Sequence, residues 1–397
     1  MLHSCARKRT PEGQLDVADI VRRYGASFRR AHRLSCEQLQ VLAAVEHCRT
    51  ARLGGHVDVC RGCGHRRPAY NSCRNRHCPK CQALSQARWI ARRSQRLIST
   101  AYFHVVFTLP AELRVVAGYN ARLVFDMLLR CAAATLLELG NDRRRLGASL
   151  GITTVLHTWA RDLSFHPHVH CIVTGGGLSA DGQRWLATSR KHLFPAAVLG
   201  ALFRGKLIAA LLAAHHAGVL RSPPDADPEA LPRLLWRLRH KRWVVYAKRP
   251  FAGPAQVLRY LGRYTHRVGL SNQRLQAIDD DGIRFATKDG RSVTLPPHEF
   301  LRRWLQHVLP KRFVKIRHWG LLAPCHATTT LVRARALARL AAAEREAAIT
   351  DIALREADRL VALGWRALLE ALTGLDLEHC PHCGDKMQRR GVARAPP

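Results

Sequence analysis

A chain of 397 residues, 47% of them apolar, is long enough for two or three domains and too apolar to be intrinsically disordered. Its 64 Lys and Arg against 29 Asp and Glu give a formal net charge of +35, which argues for a polyanionic partner. An Arg-rich composition inherited from a GC-rich genome would explain part of that excess without any binding face.

Two features of the sequence indicate the compartment. Residues 1–9 lack the apolar core of a signal peptide, and no uncharged run approaches the roughly 18 residues of a membrane span. We therefore expect a cytoplasmic protein with no membrane partner. In that compartment the 13 cysteines are predicted to be metal ligands or buried thiols, because disulfides are rare there.

The first third of the chain is predicted to be mostly helical. The apolar, β-rich run 102–109, ended by Pro110, is the predicted first strand of a central sheet. Helices are predicted over residues 16–24, 35–45 with Ser35 as N-cap, 84–98 and 114–139.

A compact cysteine block lies between these helices. It holds two Cys-x-x-Cys pairs separated by 14 residues, just below the usual window for a four-cysteine zinc ribbon. Cys73 and His77 compete for a place in the ligand set. We expect a closed, structural site, because a segment this small needs a metal to fold. The predicted ligands are Cys60, Cys63, Cys78 and Cys81.

The central motif is a histidine-rich hairpin. Two β-rich runs, 152–159 and 165–173, flank the polar residues 161–164. Successive side chains of a strand point to opposite faces, so His168 and His170 share one face. If the turn is centred between residues 162 and 163, His157 lies directly across from His168.

Three imidazoles would then converge on one spot. They would bind a divalent metal and leave coordination positions open, as catalytic sites do. The alternative is that these are surface histidines in a chain that has 22 of them.

Aromatic residues are interleaved with basic ones between residues 234 and 249. Trp236, Trp243 and Tyr246 alternate with Arg and Lys, a composition suited to gripping single-stranded nucleic acid by stacking and phosphate neutralisation. Amphipathic packing of the aromatic rings explains the pattern equally well.

A predicted helix from Ala255 to about Arg267 carries two tyrosines. Tyr260 and Tyr264 are four residues apart, so both phenols lie on one helix face. Taken alone, such pairs are more often core packing than nucleophiles.

The rest of the chain is predicted to contain a β-meander, helices and a second cysteine knuckle. Cys380 and Cys383 form this knuckle, and its partners are open: His379, His382 or the Cys325-His326 pair could complete it. The predicted strands are 275–278, 283–286, 292–295 and 311–318, and the predicted helices are 195–220, 297–308 and about 330–372.

Taken in order, these motifs resemble those of the two-tyrosine HUH transposases of rolling-circle insertion sequences, the insertion-sequence-91 family. The resemblance covers about residues 36–320. It rests on the cysteine block ending Cys78-Pro79-Lys80-Cys81, the strand 103–110, His166-Pro167-His168-Val169-His170 and Tyr260-Leu261-Gly262-Arg263-Tyr264.

The resemblance implies an α+β fold in which a central antiparallel sheet carries the metal and helices pack on it. An N-terminal zinc ribbon would precede this sheet and a helical C-terminal region would follow it. The predicted domains are 1–95 for the helices and the DNA-binding zinc ribbon, 96–320 for the HUH endonuclease with a helical insertion at about 190–245, and 321–397 for the helical region ending in the knuckle.

The resemblance also implies a chemistry. Tyr260 or Tyr264 would attack single-stranded DNA at transposon ends and target, giving a 5′-phosphotyrosine and a free 3′-OH. Imidazole ligands alone favour zinc or other transition metals, whereas the family implies magnesium or manganese on the three histidines and zinc in the ribbon.

Two other functions are consistent with parts of the sequence. A plasmid-type relaxase or replication initiator would share the chemistry, but such proteins usually carry a helicase or primase domain, and the sequence has no Walker motif. A non-catalytic, zinc-dependent DNA-binding regulator would need neither the histidines nor the tyrosines.

Overall fold

The computed structural model describes residues 15–189, 192–251, 257, 269–287, 290–343, 367, 370 and 376–393. They form the expected α+β fold, in which every strand pairing is antiparallel. Within these residues the helices are α1 Val17–Ala31, α2 Cys36–Glu46, α3 Gln82–Ser94, α4 Arg114–Tyr119, α5 Ala121–Asn141, α6 Ala196–His216, α7 Ala230–His240, α8 Pro297–Leu305 and α9 Thr330–Ala343.

The strands form three sheets. A central six-stranded sheet has the order β11-β4-β5-β3-β7, with β6 paired to β5, and the two smaller sheets have the orders β10-β9-β8 and β12-β1-β2. The strands are β1 Gly55–Cys60, β2 Arg66–Tyr70, β3 Tyr102–Thr108, β4 Ala148–Trp159, β5 Phe165–Ser179, β6 Trp185–Ala187, β7 Val245–Phe251, β8 Leu275–Asp279, β9 Gly282–Ala286, β10 Ser292–Leu295, β11 Ile316–Gly320 and β12 Met387–Ala393.

The two faces of the central sheet have different environments. On one face, Val169, Cys171 and Val173 of β5 are fully buried in a core shared with α5 and α6. The intervening residues of β5 point the other way because strand side chains alternate. That second face carries the histidines, so the burial of the first face decides which residues reach the site.

The N-terminal helices pack on the small sheet β8–β10. Buried residues of α1 and α2 share a hydrophobic cluster with Phe285 of β9 and Phe300 of α8. Capping boxes at Asp16 and Ser35 start the two helices, as the Ser35 prediction required. The N-terminal segment and residues 275–305 therefore stabilise one another.

Several predicted elements differ from the structure in their bounds, and two of these differences have a clear physical reason. The helix expected over 114–139 is interrupted at Asn120, whose side chain exchanges hydrogen bonds of 2.7 and 2.8 Å with the backbone of Arg221. An Asn that bonds to backbone competes with the helix. The strand expected over 311–318 begins only at Ile316, because Phe313 closes a turn with Pro310 and enters the core.

Helix α6 is long and apolar enough to cross a membrane by length and composition, and no other helix in the described ranges is. A helix buried in a protein core passes the same test. One face of α6 contributes Leu199, Phe203 and Leu207 to the core beneath the central sheet, while a third of its apolar window is buried in all.

A buried imidazole ties α8 to the histidine hairpin. His307 follows α8, is 5% exposed and donates from Nε2 to the carbonyl of Leu163 at 3.0 Å. Its Nδ1 accepts from the Thr158 hydroxyl at 3.2 Å. Burial lowers the pKa of His307 to about 4, so the ring is neutral at pH 7.

This pKa predicts a pH dependence of stability. An unfolded imidazole takes up a proton near pH 6.5, whereas folded His307 does so only near pH 4, so its contribution to the free energy of unfolding should fall by up to roughly 3 kcal/mol between those values. Urea unfolding of the wild type and of His307→Gln at pH 4 to 7 measures this. The two should differ most at pH 7 and converge on acidification.

The exposed His216 provides the control, since His216→Gln should follow the wild type throughout. A stability difference between wild type and His307→Gln that stays constant with pH would contradict the assigned neutral state.

Candidate metal centres

The hairpin turn sets the register of the three predicted metal ligands. The Asp162 carboxylate accepts from the backbone N–H and the hydroxyl of Ser164, and Leu163 adopts a φ of 64°. With the turn fixed there, the pairing of β4 and β5 places His157 directly opposite His168. The predicted register is confirmed.

The three imidazoles converge on the second face of the sheet. The ring centroids of His157, His168 and His170 lie 4.5–5.5 Å apart, and their candidate ligand nitrogens all lie within 4.8 Å of one another. His157 and His170 are 3% and 8% exposed. The arrangement can hold one metal ion.

Hydrogen bonds orient two of the rings. His168 donates from Nδ1 to the carbonyl of His166 at 2.7 Å, which leaves Nε2 as its ligand atom. His170 Nδ1 shares a hydrogen bond of 2.8 Å with Nε2 of His104 on β3. His104 was not identified from the sequence. The signal was a histidine within the predicted strand 102–109, which pairs with the strand of His168 and His170.

The donors of the histidine cluster differ from those that magnesium prefers. Burial lowers the pKa of His168 to about 4, so it presents the neutral imidazole that binds metals. The cluster contains no carboxylate among the described residues, and magnesium prefers oxygen ligands. Three nitrogen donors fit zinc or another transition ion better than magnesium, and manganese, which also prefers oxygen ligands, is the weaker binder among the transition ions.

Tyr260 and Tyr264 lie outside the described residues. The described residues nearest to them in sequence are Val257, three before Tyr260, and Gly269, five after Tyr264. Val257 is fully buried in a cluster with Tyr102 and Ile172. Ile172 follows His170 by two positions and lies on the same face of the sheet.

Another tyrosine lies on the histidine face. Tyr246 of β7 and His170 of β5 both pair with Val106 of β3, so all three side chains share that face. Tyr246 is 54% exposed and Trp236 is 67% exposed, whereas Trp243 is buried in the core. Of the predicted stacking residues, two can therefore meet a nucleic acid and the third packs.

The cysteines form two clusters in place of the one predicted ribbon. Cys78 and Cys81 join Cys48 and Cys73, with Sγ atoms 3.5–3.6 Å apart along the shortest contacts. The prediction that all four ribbon cysteines bind one ion is thus corrected, while the suggestion that Cys73 enters the ligand set agrees with the geometry.

Cys48 was missed because it stands alone after α2, without a neighbouring cysteine to signal a knuckle. His77, the other proposed substitute, is a member of neither cluster. It is neutral, because burial and the nearby Arg76 lower its pKa to about 3. The other predicted ligands, Cys60 and Cys63, lie beside Cys380 and Cys383.

Comparisons with known proteins agree with this arrangement. A family described as "Putative transposase" matches residues 151–330, which include the histidine hairpin, and a "Transposase zinc-binding domain" matches residues 20–109. The second match supports zinc as the ion of the N-terminal cysteines.

Two relatives match most of the chain. "Putative transposase y4qJ" of Sinorhizobium fredii (strain NBRC 101917 / NGR234) is 45% identical over 379 residues, covering 93% of this chain and 92% of its own. "Transposase for insertion sequence element IS801" of Pseudomonas savastanoi pv. phaseolicola is 30% identical over 307 residues, covering 72% of this chain and 70% of its own. The chain therefore belongs to the insertion-sequence-91 family of transposases, whose members act on DNA and carry an N-terminal zinc-binding domain.

Proposed function

We propose that this transposase nicks and rejoins single-stranded DNA at the ends of its insertion sequence through a 5′-phosphotyrosine, and so drives rolling-circle transposition. The observation that carries the proposal is the cluster of His157, His168 and His170 on the face against which Val257 packs. A DNA-binding regulator would not need this cluster.

The chain connects the tyrosines to that face. Val257 precedes Tyr260 by three residues, and three residues span at most roughly 10 Å. This distance is short enough for the Tyr260 side chain to reach the face that carries Ile172 and His170, which supports the assignment.

In the proposed reaction, the phenol oxygen of Tyr260 or Tyr264 attacks the phosphorus. The bond from phosphorus to the 3′ oxygen breaks, that oxygen gains a proton, and the phenol loses one to a nearby base. The phosphodiester is exchanged for a phosphotyrosine ester, so rejoining needs no ATP. A divalent ion held by the three histidines would neutralise charge on the phosphate and orient it.

The described residues also favour single strands. Trp236 is exposed on α7 and is followed in sequence by the exposed cations of residues 237–242, and Tyr246 is exposed on β7 shortly after them. Bases of a single strand can stack on such rings while the cations meet the phosphates. Paired bases within a duplex are not free to do so.

The nucleophile assignment predicts the effect of removing the phenols. Changing both Tyr260→Phe and Tyr264→Phe should reduce cleavage of labelled single-stranded oligonucleotides from the element's ends by at least roughly 10³-fold, and no protein–DNA adduct should appear on denaturing gels. Either single change should retain nicking and lose transfer between two ends.

Tyr246→Phe is the matched control, because it removes the phenol that lies on the histidine face and should leave cleavage unchanged. Cleavage that persists in the double variant would refute the assignment and make Tyr246 the next candidate.

The contact between His104 and His170 predicts a change in metal affinity. His104→Leu should weaken manganese binding roughly 10- to 100-fold, because His170 then loses the partner that fixes its ring. His104→Gln keeps a hydrogen-bonding group and should lose less. Manganese titration followed by electron paramagnetic resonance measures this, with the exposed His216→Leu as control, and equal affinities in all variants would rule out the orienting role.

The exposure of Tyr246 predicts a stacking contribution to DNA affinity. Tyr246→Ala should weaken binding of a single-stranded oligonucleotide roughly tenfold, while Tyr246→Phe retains it. Fluorescence anisotropy at constant salt measures both affinities. The control is Val244→Ala, because Val244 is exposed and immediately precedes β7. Equal losses for Phe and Ala would show that the hydroxyl acts, not the ring.

A further inference from the structure

We propose that Cys60, Cys63, Cys380 and Cys383 bind a second structural zinc ion. This ion would fasten residues 380–393 to the strands β1 and β2 of the N-terminal cysteine block. The matched zinc-binding domain ends at residue 109 and so contains only half of this site. The other half lies more than 300 residues further along the sequence.

The sulfur positions fit a zinc tetrahedron. A Zn–S bond of about 2.3 Å requires neighbouring sulfurs about 3.8 Å apart. The Sγ atoms of Cys60 and Cys383 are 3.4 Å apart, and those of Cys63 and Cys380 are 3.7 Å apart. All four Sγ atoms lie within 4.8 Å of one another, and a disulfide would need about 2.05 Å.

The two halves have the same local structure. Each is a Cys-x-x-Cys-Gly knuckle, and the glycines, Gly64 and Gly384, adopt φ values of +70° and +77° that favour glycine. In each, the N–H of the first cysteine donates at 2.8 Å to the carbonyl five residues later, His65 or Asp385. Two such knuckles facing each other supply four thiolates and leave no open position, as structural zinc sites do.

The knuckles are held together by backbone pairing. β12 follows the second knuckle and pairs antiparallel with β1, which leads into the first, from Gly55↔Ala393 to Cys60↔Met387. The N–H of Arg61 donates to the carbonyl of Lys386 at 3.3 Å. The second knuckle beside Cys60 and Cys63 is therefore Cys380–Cys383, and not the predicted Cys78–Cys81.

The low burial of residues 376–391 explains why this segment needs a metal to stay docked. Cys380 is the single buried residue between 376 and 391, all of which are described. A segment that buries almost no apolar surface cannot stay docked through the hydrophobic effect, and the ladder to β1 contributes only modest net free energy. Metal binding supplies the missing stabilisation, as in small zinc modules.

The proposal predicts how many zinc ions the purified full-length protein holds. In a His168→Ala/His170→Ala background, which removes the histidine site, mass spectrometric metal analysis should find two ions per chain. Both pairs, Cys60 with Cys63 and Cys380 with Cys383, should be needed to bind the second of these two ions. The variants Cys380→Ser/Cys383→Ser and Cys60→Ser/Cys63→Ser should each hold one ion, and the control Cys36→Ser/Cys325→Ser, which changes exposed cysteines outside both clusters, should hold two.

Hydrogen exchange distinguishes this loss from misfolding. In both knuckle variants the amides of β12 should lose protection while those of β5 keep it. A parent protein with one ion, or a knuckle variant that keeps two, would overturn the proposal. So would a knuckle variant that loses both ions together with protection of β5, because the second ion would then not be an independent site.

Discussion

The cross-strand register of β4 and β5 is the constraint on which the candidate site depends. A slip of one residue would turn His168 and His170 toward α5 and bring Val169 and Cys171 to the open face. The apolar residues oppose that slip, since their burial would be lost, and the turn at Asp162 and Ser164 opposes it locally. Hydrophobic burial on one face thus positions metal ligands on the other.

The turn is itself supported by the N-terminal module. Leu163 is fully buried in the cluster that contains Cys48 and Cys78 together with residues of α1, α2 and α8. Arg76, from the cysteine block, donates to the carbonyls of Phe313 and Pro310 at 2.6 and 3.1 Å. The cluster of Cys48, Cys73, Cys78 and Cys81 therefore stabilises the hairpin as well as its own loop, and binding of its metal would reinforce the geometry of the histidines.

Sequence patterns predicted those features that depend on residues close together in the chain. Strand alternation and turn chemistry predicted the hairpin, the meander and the pairing of His157 with His168, because these depend on residues close along the chain. The cysteine pairing was not predictable in this way. Any two Cys-x-x-Cys pairs can share an ion, so spacing favoured Cys60 and Cys63 with Cys78 and Cys81. The observed grouping depends on β12 pairing with β1, a contact that no local pattern encodes.

A zinc site whose two halves lie more than 300 residues apart in the sequence is physically reasonable. The entropy lost on closing a loop grows only logarithmically with its length, by about 0.6 kcal/mol for each doubling, so the separation of Cys63 from Cys380 costs roughly 2.6 kcal/mol more than that of Cys63 from Cys78 in a flexible chain. The folded body between Cys63 and Cys380 reduces this difference, because it shortens the effective loop. What the distance changes is the order of events, because β1 exposes an unpaired edge until β12 has been synthesised. The proposed zinc site is then complete only once residues 380–393 have been synthesised, so a chain truncated before residue 380 would leave this edge of β1 open and Cys60 and Cys63 without their partner knuckle.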